Sequence, residues 1–156
     1  MKGNMTNWRV LGVRAACAAW VALCAVTVTA QEQPDDIRKL QGGWLVVAAE
    51  QRGKPFEAIK GGALVIEGAT FFLRTAAGSE FRGEIRVDPA RSPRQIDFVH
   101  EKNGPVWEAI YSVNDEMLRL NYVEAGERNP RPTLFATSAD TAGTVIVMNR
   151  MAQRPQ

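Results

Sequence analysis

The chain has 156 residues, 46% of them apolar and 23% charged, with a formal charge of +2, a size that suits one small domain. The basic excess belongs to the first 30 residues, which hold Lys2, Arg9 and Arg14 and no acid; beyond them 16 basic residues face 17 acidic ones. Both cysteines, Cys17 and Cys24, lie in that segment, so the remainder has no disulfide, thiol nucleophile or cysteine metal site and no charge excess of the kind a nucleic-acid binder needs.

Residues 1–14 are polar and basic, 15–28 form an uncharged apolar run, and Val28-Thr29-Ala30 ends it with small residues where a signal peptidase reads. This pattern predicts a secretory signal peptide over 1–30, cleaved near Ala30, and an exported product, periplasmic or extracellular. The 14 apolar residues of that run make about 21 Å of helix, short of the ~30 Å hydrocarbon core. Leu23 stands where a lipobox before Cys24 wants a small residue. No second long apolar run follows, so 31–156 is expected to be a single domain without a membrane span.

Residues 31–40 offer Pro34, Asp35 and Asp36 ahead of Ile37 and Leu40, which predicts a short helical turn. From Gly43 onward β-branched and aromatic residues recur in short runs at 44–50, 63–67, 70–75, 80–87, 95–100, 106–113, 117–123 and 144–151. Turn chemistry such as Arg52-Gly53-Lys54-Pro55 and Asn103-Gly104-Pro105 separates them. Eight short strands with short links form an antiparallel meander. The one long link is 124–143, where Asn129-Pro130-Arg131-Pro132 forbids a central strand and 133–137 is left to pair at an edge. Arg150 to Gln156 reads as a frayed tail.

Alternation marks one apolar face per strand: Phe71 and Leu73; Gly83, Ile85 and Val87; Ile96 and Phe98; Leu118, Leu120 and Tyr122. In 106–113, Trp107, Ala109, Tyr111 and Val113 share one face and Val106 and Ile110 the other, which leaves its inward side open. With no long amphipathic helix to cover these faces, the strands must close into a barrel or fold into a sandwich, and the meander favours the barrel. The expected fold is all-β, an eight-stranded antiparallel up-and-down barrel with a short N-terminal helical turn.

Leu40-Gln41-Gly42-Gly43-Trp44, Gly53-Lys54-Pro55, the 83–89 strand, Ile96-Asp97-Phe98, Ile110-Tyr111 with the 115–120 hairpin, and Arg131-Pro132-Thr133 with Phe135 resemble a small uncharacterised exported domain family abundant in planctomycete bacteria. That family often has a cysteine where this chain has Asn121, and an Asp-Gly turn where it has Asn114-Asp115-Glu116. The resemblance implies a lipocalin-like barrel. Lipocalins carry a Gly-x-Trp on the first strand and an Arg near the end of the last that packs over the Trp; Gly42-x-Trp44 and Arg150 match these positions. The pair is expected to close one barrel end through a cation–π contact.

Chemistry is sparse. His100 is the one histidine, in a strand whose apolar alternation it shares, which offers a ligand-facing group, a general base or a half-exposed strand end. No spaced ligand set suits zinc or iron, no Gly-x-Ser-x-Gly elbow is present, and the paired acids Asp35-Asp36 and Asp115-Glu116 fit a helix start and a turn. Arg82, Arg86, Arg91 and Arg94 interleave with acids and read as a solvated strand face. No catalytic residue, metal or cofactor is therefore expected. An eight-stranded interior is either filled or holds one small ligand, and the candidate ligand-facing residues are Phe71, Leu73, Ile85, Phe98, His100 and Tyr122. Two functions are compatible with this: a non-enzymatic barrel binding a small apolar or amphipathic molecule, or a protein-interaction module, a periplasmic inhibitor or envelope accessory factor, with a filled core and a working loop at 129–133.

Overall fold

A computed structural model describes residues 35–126 and 128–152. The expected signal peptide and cleavage site, the two cysteines, Pro34 and the final four residues lie outside the described residues. The chain opens with a helical turn, α1 (Asp35–Leu40), followed by β1 (Gly42–Gln51), β2 (Lys54–Pro55), a 3-10 turn (Glu57–Ile59), β3 (Ala63–Glu67), β4 (Thr70–Arg74), β5 (Glu80–Asp88), β6 (Gln95–His100), β7 (Val106–Val113), β8 (Met117–Glu124) and β9 (Thr144–Arg150). Every neighbouring pair is antiparallel and β9 returns to pair with β1. The eight long strands thus close into an up-and-down barrel. β2 is a two-residue extra strand folded back on the end of β1, across a turn in which Arg52 and Gly53 both have positive φ, the geometry a two-residue hairpin demands.

One end of the barrel is stapled shut, and each residue of Leu40-Gln41-Gly42-Gly43-Trp44 takes part. Leu40 and Trp44 are fully buried, and Trp44 Nε1 donates to the Leu40 carbonyl at 2.9 Å. Gln41 bonds Gly68 in both directions, accepting from its N–H at 2.7 Å and donating to its carbonyl at 3.3 Å, which fixes α1 to the β3–β4 turn. The Gly43 carbonyl accepts from the Met151 N–H at 2.8 Å. Arg150, expected both as the partner of Trp44 and as the start of a frayed tail, holds only the first role. Its guanidinium lies 4.1 Å from the Trp44 ring centre and donates to the carbonyls of Lys39, Gln41 and Asp115 at 2.6, 2.7 and 2.5 Å. Gly42 has φ +100°, a conformation that strains any other residue, and a Cβ there would also crowd Arg150 Nη1 at 3.3 Å.

A second clamp holds α1 to the wall. Arg94 grips both oxygens of Asp36 at 2.7 and 2.6 Å, and the Tyr111 hydroxyl donates to the same carboxylate at 3.2 Å. Asp36 is therefore more than a helix-start acid, and Arg94 is withdrawn from the solvated face assigned to it. Burial and the Asp36 charge push the Tyr111 hydroxyl pKa well up.

The inward side of β7 carries Trp107, Ala109, Tyr111 and Val113, in register with the inward residues of β6 and β8. Ile110 is also fully buried, on the outer side, because the long link 125–143 crosses that wall as a strap. The expected edge strand at 133–137 does not form. A closed barrel has no free edge, Pro130 and Pro132 lack N–H groups, and the strap is held by side chains instead. Asn121 Nδ2 donates to the Leu134 carbonyl at 2.7 Å, Arg119 to the Phe135 carbonyl at 2.7 Å, and Arg131 reaches the Ala109 carbonyl at 2.9 Å and Asp97 at 2.6 Å.

Arg150→Met is expected to lower stability by about 3 kcal/mol, removing a cation–π contact and leaving three carbonyls short of a charged donor. Arg150→Lys should recover less than half of that, since one ammonium cannot span the three acceptors. Urea unfolding measures both; a loss under about 1 kcal/mol for the Met variant contradicts the staple.

Candidate functional site

The interior is filled at the stapled end and hollow at the other. Next to Trp44, the side chains of Ile66, Ile96, Tyr111, Leu118 and Met148 are almost completely buried. Toward the open end the inward residues leave a cavity of about 290 Å³, at the small end of the roughly 300–1,000 Å³ typical of ligand pockets. Its wall is built by the period-2 faces of the strands: Val46 on β1, Leu64 on β3, Phe71 and Leu73 on β4, Phe81 on β5, Phe98 on β6, Trp107 on β7, Leu120 and Tyr122 on β8, Ile146 and Met148 on β9. Gln51, Phe56, Ile59, Gly62 and Thr75 complete the rim.

Of the expected ligand-facing residues, the structure brings Phe71, Leu73, Phe98 and Tyr122 to this wall, and it does not bring Ile85 or His100 there. Ile85 is one pleat nearer the stapled end than Gly83 and packs into the filled core. His100 is 8% exposed and enclosed by rings, 4.1 Å from the centre of Trp107, 5.4 Å from Phe71 and 5.6 Å from Phe81, all edge-on. It is thus not half exposed, and it does not border the cavity. Gly83 makes room for this packing. It pairs with Phe71 on one side and His100 on the other, and a Cβ there would fall 1.9 Å from the Val99 carbonyl oxygen and 2.9 Å from Phe71 Cε1.

Aromatic rings continue along the mouth, with Phe81 to Trp107 at 5.3 Å and Trp107 to Tyr122 at 5.2 Å. Phe56 and Ile59 come from the segment after β2, where no periodic pattern marks them; the Gly-Lys-Pro turn that precedes them is the only local signal in the sequence. Gln51 escaped notice because β1 is irregular: its pairing with β9 shifts between Val46 and Ala48, leaving Val47 as an extra residue. The barrel-end pair Trp44 and Arg150 is in contact, as described above. Arg131 lies on the outer wall with its side chain only 20% exposed, away from the cavity.

Among the described residues no group of three or more His, Cys, Asp or Glu side chains is placed to hold a metal ion, and no helix is long and apolar enough to cross a membrane. No protein-family model matches the chain, and neither a curated protein nor a solved structure matches it at a significant level. The likeness to the planctomycete domain family therefore rests on the sequence blocks alone.

Burial holds the His100 imidazole pKa below its ordinary 6.5, with Glu124 opposing weakly, and Nε2 has no hydrogen-bond partner. As pH falls below about 6.5 the unfolded chain takes up a proton that the folded chain refuses. Stability from this group is intact above that pH and is lost as pH drops toward the lower, folded value. The melting temperature should accordingly decline between pH 7 and 5, and His100→Phe should flatten that decline; an unaltered profile in the variant contradicts the buried, neutral imidazole.

Proposed function

We propose that the protein is an exported, non-enzymatic, lipocalin-like barrel that takes a small apolar or amphipathic molecule into its open half, and that it belongs with the planctomycete domains its sequence resembles. The observation that carries this reading is the cavity of about 290 Å³ walled by aliphatic and aromatic side chains. Apolar concavities with a few polar groups are the usual form of small-molecule sites. Burying an apolar ligand there contributes about 25 cal/mol per Å² removed from water. Export is supported by the leader pattern at 1–30. The competing reading, a filled barrel acting on a protein partner through 129–133, is disfavoured by the hollow upper half and by Arg131, which is tied to Asp97 and Ala109.

Native mass spectrometry of the purified protein with naphthalene and 1-decanol is expected to show saturable one-to-one binding. Leu73→Trp, which fills the cavity from β4, should abolish that binding while leaving the far-UV circular dichroism unchanged. A protein that binds neither probe, or a Leu73→Trp variant that binds as well as the parent, contradicts the reading.

A further inference from the structure

The cavity wall carries no charge: among the described residues, none of the Lys, Arg, Asp or Glu side chains borders it. At the mouth this depends on one backbone irregularity. Counting by twos from the inward Trp44 and Val46 would turn Glu50 into the barrel and Gln51 out of it. The extra residue at Val47 reverses the faces beyond it, as a one-residue slip must. Gln51 borders the cavity, and Glu50 turns outward, where its Oε1 accepts from Thr137 Oγ1 of the strap at 2.5 Å.

Strand register then lines up three polar residues in one inward row. Gln51 on β1 sits opposite Thr144 on β9, and Thr144 opposite Tyr122 on β8. Gln51 Nε2 donates to Thr144 Oγ1 at 2.9 Å, and Tyr122, opposite Thr144 on the next strand, borders the cavity beside Gln51. The Tyr122 phenol, on the cavity wall, supplies an O–H donor at the end of this row. Burial raises the Tyr122 pKa, so this donor stays neutral.

We propose that the cavity selects an uncharged molecule whose polar end is a hydrogen-bond acceptor, a ketone, aldehyde, ester or ether oxygen, seated against the Tyr122 hydroxyl with the apolar body among Phe98 and Leu120. The proposal rests on the reading of this cavity as a ligand site. A volume of about 290 Å³ holds roughly ten to fifteen non-hydrogen atoms, at the ~30 Å³ or less that each takes in a condensed phase. A carboxylate head is refused, because it would enter an apolar site with no cation to pair with. Glu124, exposed and in register with Trp107, adds repulsion.

The test uses three molecules that share one ring system: naphthalene, 2-acetylnaphthalene and 2-naphthoate, titrated calorimetrically into the purified protein at pH 7.5. The ketone should bind at least tenfold more tightly than the carboxylate. Tyr122→Phe should weaken the ketone roughly fivefold relative to naphthalene, the worth of one neutral hydrogen bond, so that the ratio of the two affinities reports the hydroxyl alone. If the carboxylate binds as tightly as the ketone, or the ketone is indifferent to Tyr122→Phe, the acceptor-head proposal is overturned while the binding reading stands. If none of the three binds, both are overturned.

Discussion

The fold turns on the guanidinium of Arg150, 4.1 Å above the Trp44 ring. A barrel of eight strands has two ends to close, and this cation closes one of them by joining parts of the chain that are far apart in sequence. It draws the carbonyls of Lys39 and Gln41, at the end of α1, and that of Asp115 from the β7–β8 turn onto the last strand. The planar fork can face a ring and donate to several acceptors at once, which an ammonium cannot. With Trp44 set beneath it, Ile66, Ile96, Leu118 and Met148 find a floor to pack on. The Asp36–Arg94–Tyr111 cluster holds the same helical turn from its other side.

Because the floor is fixed, the asymmetry of the interior follows. Side chains near it, such as Ile66, Ile96 and Leu118, are fully buried in one core cluster. Toward the other end the inward side chains enclose a cavity, and Gly83 lets Phe71 and His100 close over the bare backbone between them. The strap 125–143 has a complementary task outside. It buries Ile110, Val123 and Val145, apolar residues that would otherwise face water on the outer wall, and through Thr137 it holds both Glu50 and the N–H of Gly53 in the β1–β2 hairpin. The strap therefore braces the rim of the cavity, and none of its described residues lines it.

Much of this was legible in the sequence. Period-2 alternation and regular turn chemistry locate the eight strands to within one or two residues, and Gly42-x-Trp44 with Arg150 locates the stapled end. What was hidden has physical reasons. Val46-Val47-Ala48-Ala49 is apolar at every position, so no alternation reveals which residue is the extra one, and with it which of Glu50 and Gln51 faces inward. The side of β7 was ambiguous because the strap buries Ile110 on the outer face, a burial that depends on a non-local segment. The strap itself is held by Arg119, Asn121 and Arg131 donating to carbonyls, contacts that leave no periodic trace. His100 continues the alternation of Ile96 and Phe98, which fixes its side of the sheet and says nothing of the three rings that screen it from the lumen.

Staple and cavity thus occupy opposite ends of one barrel, the first built around a charged group and the second lined by uncharged side chains, with a single bulge deciding its polarity. The most direct measurement of this division is a crystal structure of the protein under pressurised xenon, since dry apolar cavities of this kind take up the gas. The account predicts xenon density among Leu64, Phe98 and Leu120, and none around Trp44. An upper barrel closed by its own side chains and free of xenon, or xenon lodged beside Trp44, would contradict it.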